Sequence, residues 1–272
     1  MNPDTESPAA RESAAPRFLI GSPSSIFAIS GLRLPILWIL ATIGLGLLVD
    51  YASILANVWI VRRMGMERTL AMPWIALDVN HLALLVAALI VIAILSRGRF
   101  SEYGLRRPRA KSYIWSAIAW GVFFGVLMTV IDYLPQILSR RAPGDLPLTT
   151  ASLTGWLTFE WLFVGFGEEI AFRGLLQTFL MKRSSGRIRL FKYEMHVAGV
   201  ILALLFALAH AANFGARPFW IAMGQQIYAF ALGILYAYWY EKSGSLIAPI
   251  IGHNIGDGVE YALMFLMVWR WH

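Results

Sequence analysis

The stretch Trp156-Leu-Thr-Phe-Glu-Trp-Leu-Phe-Val-Gly-Phe-Gly-Glu168-Glu169-Ile-Ala-Phe-Arg173 decides how this chain is read. It is apolar enough to lie in a bilayer, yet it carries two adjacent carboxylates with an arginine one turn later. Each charge at the centre of a membrane helix costs about 2.5–3.5 kcal/mol even on lenient insertion scales. A chain that keeps them there has a use for them. His210 and His253 also lie in apolar segments and join the same question.

Composition supports the membrane setting. The chain has 272 residues, 58% hydrophobic and 14% charged, which places it outside the soluble class. Cysteine is absent, so disulfides, thiol nucleophiles and thiolate metal sites are excluded. Glu, Asp, His and hydroxyl groups remain as the available chemistry. The formal net charge of +7 comes from basic residues clustered between apolar runs, as orientation signals are, and calls for no nucleic-acid partner.

Residues 1–33, rich in Ser, Pro and Ala, read as a disordered cytoplasmic tail. Leu34 to Val61 is too long for a signal-peptide core and reads as a retained anchor. A bilayer core of about 30 Å needs about 20 apolar helical residues. Seven stretches qualify, roughly 34–61, 74–95, 113–134, 152–181, 195–213, 218–240 and 246–269. The expected fold is therefore all-α, a polytopic bundle of about seven spans over 34–272 without β-sheet. Fifteen Lys and Arg fall on one face of that topology and seven on the other. Positive-inside then puts the N-terminus in the cytoplasm and the C-terminus outside, in a bacterial inner membrane.

Spacing assigns partners within the spans. Glu169 and Arg173, four apart, share a helix face, while Glu168 is turned about 100° away. A structural ion pair accounts for Glu169 with Arg173 but leaves Glu168 without a partner on its own helix. His210 alone is as well read as a packing histidine. His81, beside Asp78 and Asn80, is a weaker candidate. In the last span Pro249 removes a backbone donor, and Gly252, Gly256 and Gly258 follow, so that helix is expected to be broken. His253 and Asp257, four apart, share a face. They suit either a bridge between helices or a site.

A carboxylate at Glu168 and an imidazole at His210 could deprotonate water and pass the proton to a leaving amine. His253 and a polar group one turn on could hold an oxyanion. Other intramembrane hydrolase patterns fit less well: there is no His-Glu-x-x-His, no Gly-x-Ser-Gly, and Asn254-Ile-Gly-Asp257 lacks the first glycine of a Gly-x-Gly-Asp site. The rival reading is a non-catalytic scaffold or immunity protein, or a proton-coupled transporter, in which Asp50, Asp78 and Asp132 extend a relay. Paired halves with matching broken helices, usual in transporters, are not evident.

Three motifs then occur in order, each on its own span: Glu168-Glu-Ile-Ala-Phe-Arg173, Phe206-Ala-Leu-Ala-His210 and His253-Asn-Ile-Gly-Asp257. With Gly244-Ser-Leu-Ile-Ala-Pro249 they resemble the CAAX-prenyl-protease-like and bacteriocin-processing (CPBP or Abi) intramembrane endopeptidases. The likeness covers roughly 150–260. It implies a glutamate-dependent peptidase acting on a membrane-associated or secreted protein or peptide. In it Glu168 activates water with help from His210, Glu169 and Arg173 support it, and His253 and position 257 lie on the oxyanion side. Many members carry Asn at position 257. Asp257 is therefore protonated, or orients His253, or leaves the oxyanion to Asn254. The family has also been described as metal-dependent, with Glu168, His210 and His253 as the residues that would ligate zinc. A metal-free site is favoured, because zinc would consume the base and the oxyanion donor. Helix rise places Glu168 about 20 Å and His253 about 10 Å from their cytoplasmic loops, a mismatch that a broken last helix or a re-entrant turn would absorb. The Gly121-x-x-x-Gly125 step suits internal packing or a dimer seam equally, and the oligomeric state is left open.

Overall fold

The computed structural model describes residues 27–144 and 146–271. Among them, helices dominate. α1 (Ile36–Met64), the short α2 (Met66–Ala71), α3 (Pro73–Ser96) and α4 (Ile114–Ser139) precede a composite segment. That segment runs through α5 (Thr150–Thr158), a π turn (Phe159–Phe163), α6 (Val164–Glu169), a second π stretch (Ile170–Gln177) and α7 (Thr178–Met181). α8 (Val197–Ala209), α9 (Phe219–Ser243) and α10 (Ile247–Trp271) follow.

α1, α3, α4, α9 and the stretch Val197–Gly215 are each long and apolar enough to cross a bilayer. The composite segment and α10 carry the buried Glu160, Glu169 and Glu260 and are less apolar, while α4 buries Asp132. α1 turns Leu37, Leu40, Leu47, Leu48 and Leu55 outward, as a helix solvated by lipid does. The chain is an integral membrane protein.

A small antiparallel sheet corrects the expectation of a purely helical chain. Its order is β1 (Phe27–Arg33), β2 (Ser185–Leu190), β3 (Tyr193–His196). The disordered-tail reading is corrected for the same residues: 27–33 pair with the basic hairpin, Phe27 opposite Leu190 and Ser30 opposite Arg187. Residues 1–26 lie outside the described residues. The pairing puts the start of α1 and the hairpin after α7 on one membrane face, as the charge count requires.

The hairpin is tied down by charge. Arg187 pairs with Glu194 across the strands and donates from Nη2 to Glu241 Oε1 on α9 at 2.6 Å. Glu241 Oε2 also accepts from the backbone N–H of His196 at 2.6 Å. His196 caps α8 by accepting from Ala198 N–H through Nδ1 at 3.0 Å, which requires a neutral ring. Desolvation by burial holds its pKa below the ordinary histidine value. The folded state thus takes up a proton less readily than the unfolded chain. This contribution to stability is complete above about pH 6.5, the unperturbed histidine value, and is lost as pH falls through the lower folded value. Thermal unfolding in detergent should show this acid loss in the wild type. His196→Asn, which keeps a capping side chain, should remove that part of the pH dependence.

α10 is continuous, which corrects the expected break. Pro249 is its third residue, where a backbone N–H has no partner within the helix in any case. Its glycines serve close approach instead. A Cβ on Gly121 would meet Gly252 O at 2.8 Å, and one on Gly125 would meet Gly256 O at 2.6 Å. The glycine pair of α4 is thus an internal seam with α10.

The irregularity lies in the composite segment. There Asn254 Oδ1 accepts from Gly165 N–H at 2.7 Å, and its Nδ2 donates to Leu162 O at 3.3 Å. A π turn disturbs the helical ladder, and this amide satisfies two of the groups it leaves free. The depth mismatch also resolves here. A Cβ on Gly174 would meet Leu246 Cδ1 at 3.2 Å, so Gly174 is level with the residue before α10. Glu168 and His253 are then six and seven residues from a common plane, and the last turns of the composite segment extend beyond it.

Candidate active site

Glu169 and Arg173 are completely buried, with Arg173 Nε 3.3 Å from Glu169 Oε2. The guanidinium lies 4.9 Å from the Phe206 ring centroid and 5.9 Å from that of Tyr236. Glu169 Oε1 reaches across to α10, where His253 Nδ1 donates to it at 2.9 Å. The other ring nitrogen, Nε2, is 3.1 Å from Asp257 Oδ2 and 3.8 Å from Glu168 Oε2. The ring stacks on Tyr236 at 5.5 Å, inclined by only 17°. With carboxylates at both nitrogens, His253 is held as a two-sided donor, and Asp257 sits where it orients that ring.

Glu168 is turned away from this pair, as the helical repeat requires, and keeps some exposure. It lines a cavity of about 440 Å³ enclosed by α1, α3, the second π stretch and α8. His210, at the C-terminal cap of α8, lines the same cavity. Its Nδ1 meets Phe206 O at 2.9 Å. A carbonyl only accepts, so Nδ1 carries a proton, and in the neutral ring Nε2 keeps a lone pair.

His81 on α3 is the residue that sequence reasoning undervalued. Its Nε2 is 3.3 Å from Glu168 Oε1, nearer than either motif histidine. Its Nδ1 donates to Leu77 O at 3.0 Å. The facing Nε2 and carboxylate therefore need one proton between them, held on the ring or on the acid. The available signal was a third histidine in an apolar span, outside all three motifs. Glu160 and Glu260 were not singled out either, although both are buried. Glu260 follows His253 and Asp257 at helical spacing, and Glu160 lies in the first π turn beside Tyr261. Asn254, by contrast, is occupied at both ends of its amide by the π turn.

Of the residues that would hold zinc, Glu168, His210 and His253, the last is engaged with carboxylates. His253 has both nitrogens committed to carboxylates and offers no lone pair. Among the described residues no three acidic or histidine side chains converge in a metal-binding arrangement.

Fold and site together define a polytopic membrane protein in which four helical elements bring Asp50, His81, Glu168 and His210 around one largely apolar cavity. Residues 150–259 match the sequence model of the Rce1-like family, described as type II CAAX prenyl endopeptidase Rce1-like. This is the segment and the family that the three motifs indicate. That segment is similar to the Rce1-like family, which is one of proteases. Comparisons with curated proteins and with solved structures found no match.

Proposed function

We propose that the protein is an intramembrane endopeptidase using a water activated by Glu168, in a bacterial cytoplasmic membrane with its N-terminus inside. The observation that carries this reading is Glu168 at the wall of an apolar cavity, 3.3 Å from His81 and 3.8 Å from His253. Glu169 beside it is sealed at zero exposure, whereas Glu168 keeps some exposure and faces the cavity, where a water can reach it.

In this mechanism a water is held between two acceptors, the Glu168 carboxylate and the lone pair of His210 Nε2. Glu168 takes its proton as the water oxygen attacks the scissile carbonyl. Negative charge develops on the carbonyl oxygen, and the Nε2–H of His253, held in place by Glu169 and Asp257, is shared with it and stabilises it. Glu169 and Asp257 keep His253 cationic and aligned, and Arg173 in turn neutralises Glu169. Collapse of the tetrahedral intermediate breaks the C–N bond, and Glu168 returns its proton to the leaving amine. His81 sets the charge state of Glu168 between steps. No step is routed through a metal.

The test is cleavage of membrane-embedded peptides by protein reconstituted in liposomes, with products read by mass spectrometry. Wild type should cleave, and a zinc chelator should leave the rate unaltered. Loss of one oxyanion donor typically costs about 10²–10³ in rate, the drop expected for His253→Ala. Cleavage that persists undiminished in His253→Ala, or that stops with the chelator and returns on adding zinc, would overturn the scheme. Absence of cleavage under all conditions would favour a scaffold or transporter.

A further inference from the structure

Asp50 has no part in that mechanism, yet its position is more exacting than that of any other charge in α1. It is the middle residue of the 29 in this helix, about 21 Å from either end at 1.5 Å per residue. A side chain there is far from both helix ends, where long side chains reach headgroups. Its carboxylate accepts from Ser53 Oγ at 3.3 Å. Among the described residues no Lys, Arg or His forms an ion pair with it.

Asp50 lines the same cavity as Glu168, and so does Asn80 on α3. Leu47, Leu84, Leu176 and Leu205 supply apolar wall. The cavity thus has the reactive carboxylate on one element, a second carboxylate on another, and aliphatic surface beside both. That pattern complements a side chain with an apolar stem and a cationic head.

We infer that the cavity is a subsite for a basic residue of the substrate, with Asp50 receiving its ammonium or guanidinium and Asn80 adding a hydrogen bond. The inference rests on the peptidase reading and adds to it which peptides are cut. A basic residue inside a membrane segment is costly to bury alone, and pairing with Asp50 offsets that cost. A place in the middle of α1, inside the cavity that Glu168 lines, favours a peptide side chain over a cationic lipid headgroup, which stays at the interface.

The experiment uses the full chain in liposomes with synthetic apolar peptides that differ at one position, carrying lysine, arginine, norleucine or glutamate there, the position being walked along the peptide. At one position lysine and arginine should be preferred over norleucine by roughly 10- to 100-fold in kcat/KM, the range for a hydrogen-bonded charge. In Asp50→Asn that preference should collapse to about parity. Wild-type enzyme indifferent to lysine against norleucine at every position, or a preference that survives in Asp50→Asn, would overturn the subsite. If nothing is cleaved, the peptidase reading fails separately, and binding decides this one. Photocrosslinking of the lysine peptide to Glu168→Gln should then exceed that of the norleucine peptide and lose its advantage in Glu168→Gln/Asp50→Asn. Equal crosslinking of the two peptides would overturn it.

Discussion

Replacing Glu168 by glutamine lowers the rate of peptide hydrolysis by about 10³- to 10⁴-fold, the upper part of the range for a positioned general base. The amide keeps the shape of the side chain and still hydrogen-bonds to His81, but it accepts no proton from water and returns none to the leaving amine. Folding should be nearly unaffected, because Glu168 does not touch Arg173 and the Glu169–Arg173–His253 unit is left whole. The measurement is product formed per unit time in liposomes, beside the unfolding temperature of the same preparation. A variant within about threefold of wild type would move the base to another residue, since loss of general-base catalysis is rarely so small. An inactive variant that also unfolds early would say only that the bundle had been damaged. The two readouts together separate chemistry from stability.

How the site was legible follows from which forces act along the chain and which act across it. Glu169 with Arg173, and His253 with Asp257, are separations of four on one helix, so sequence spacing alone brings each pair together. The separate facing of Glu168, about 100° round the helix, follows from the same periodicity. His81 was harder, because its partner is 87 positions away and no local pattern marks it; only the packing of α3 against α6 creates that contact. Pro249 misled for a related reason. A proline forbids a helical hydrogen bond only where one would otherwise form, and whether it stands in the first turn depends on where the helix starts. The real irregularity, the π turns, needed an amide supplied from α10 by Asn254, which a reading of the composite segment alone does not contain. The sheet was visible in part: Arg187-Ile-Arg-Leu190 alternates with the period of a strand. It was hidden by the density of basic residues, which read as a solvated loop, and its partner strand comes from the start of the chain.

The site also divides by burial into parts with separate duties. Glu169 and Arg173 are sealed from solvent and fixed, whereas Glu168, His81 and His210 line the cavity and are positioned to meet a substrate. A buried charge network of the first kind contributes little net stability when complete but is expensive to break.

That asymmetry gives the largest stability effect expected in this molecule. Arg173→Met keeps much of the side-chain volume against Phe206 and Tyr236 but removes the guanidinium. It leaves Glu169 with a single imidazole for two carboxylate oxygens at zero exposure. Breaking a buried pair from one side costs about 3–5 kcal/mol, and the lost cation–π contacts lie within that figure. Unfolding in detergent, followed by tryptophan fluorescence or by loss of solubility on heating, should report a shift of that size. The companion variant Arg173→Met/Glu169→Gln removes both charges, and its cost should fall well below the sum of the two single changes, because the uncompensated carboxylate is gone. Activity should not recover with it. His253 would keep a neutral acceptor at Nδ1 in place of the carboxylate, and its cationic form, needed at the oxyanion, would lose support. Stability restored without activity would assign Arg173 to charge balance behind the reacting groups. Additive costs in the double variant would mean that Arg173 acts chiefly by packing, and the electrostatic account of this buried unit would fall.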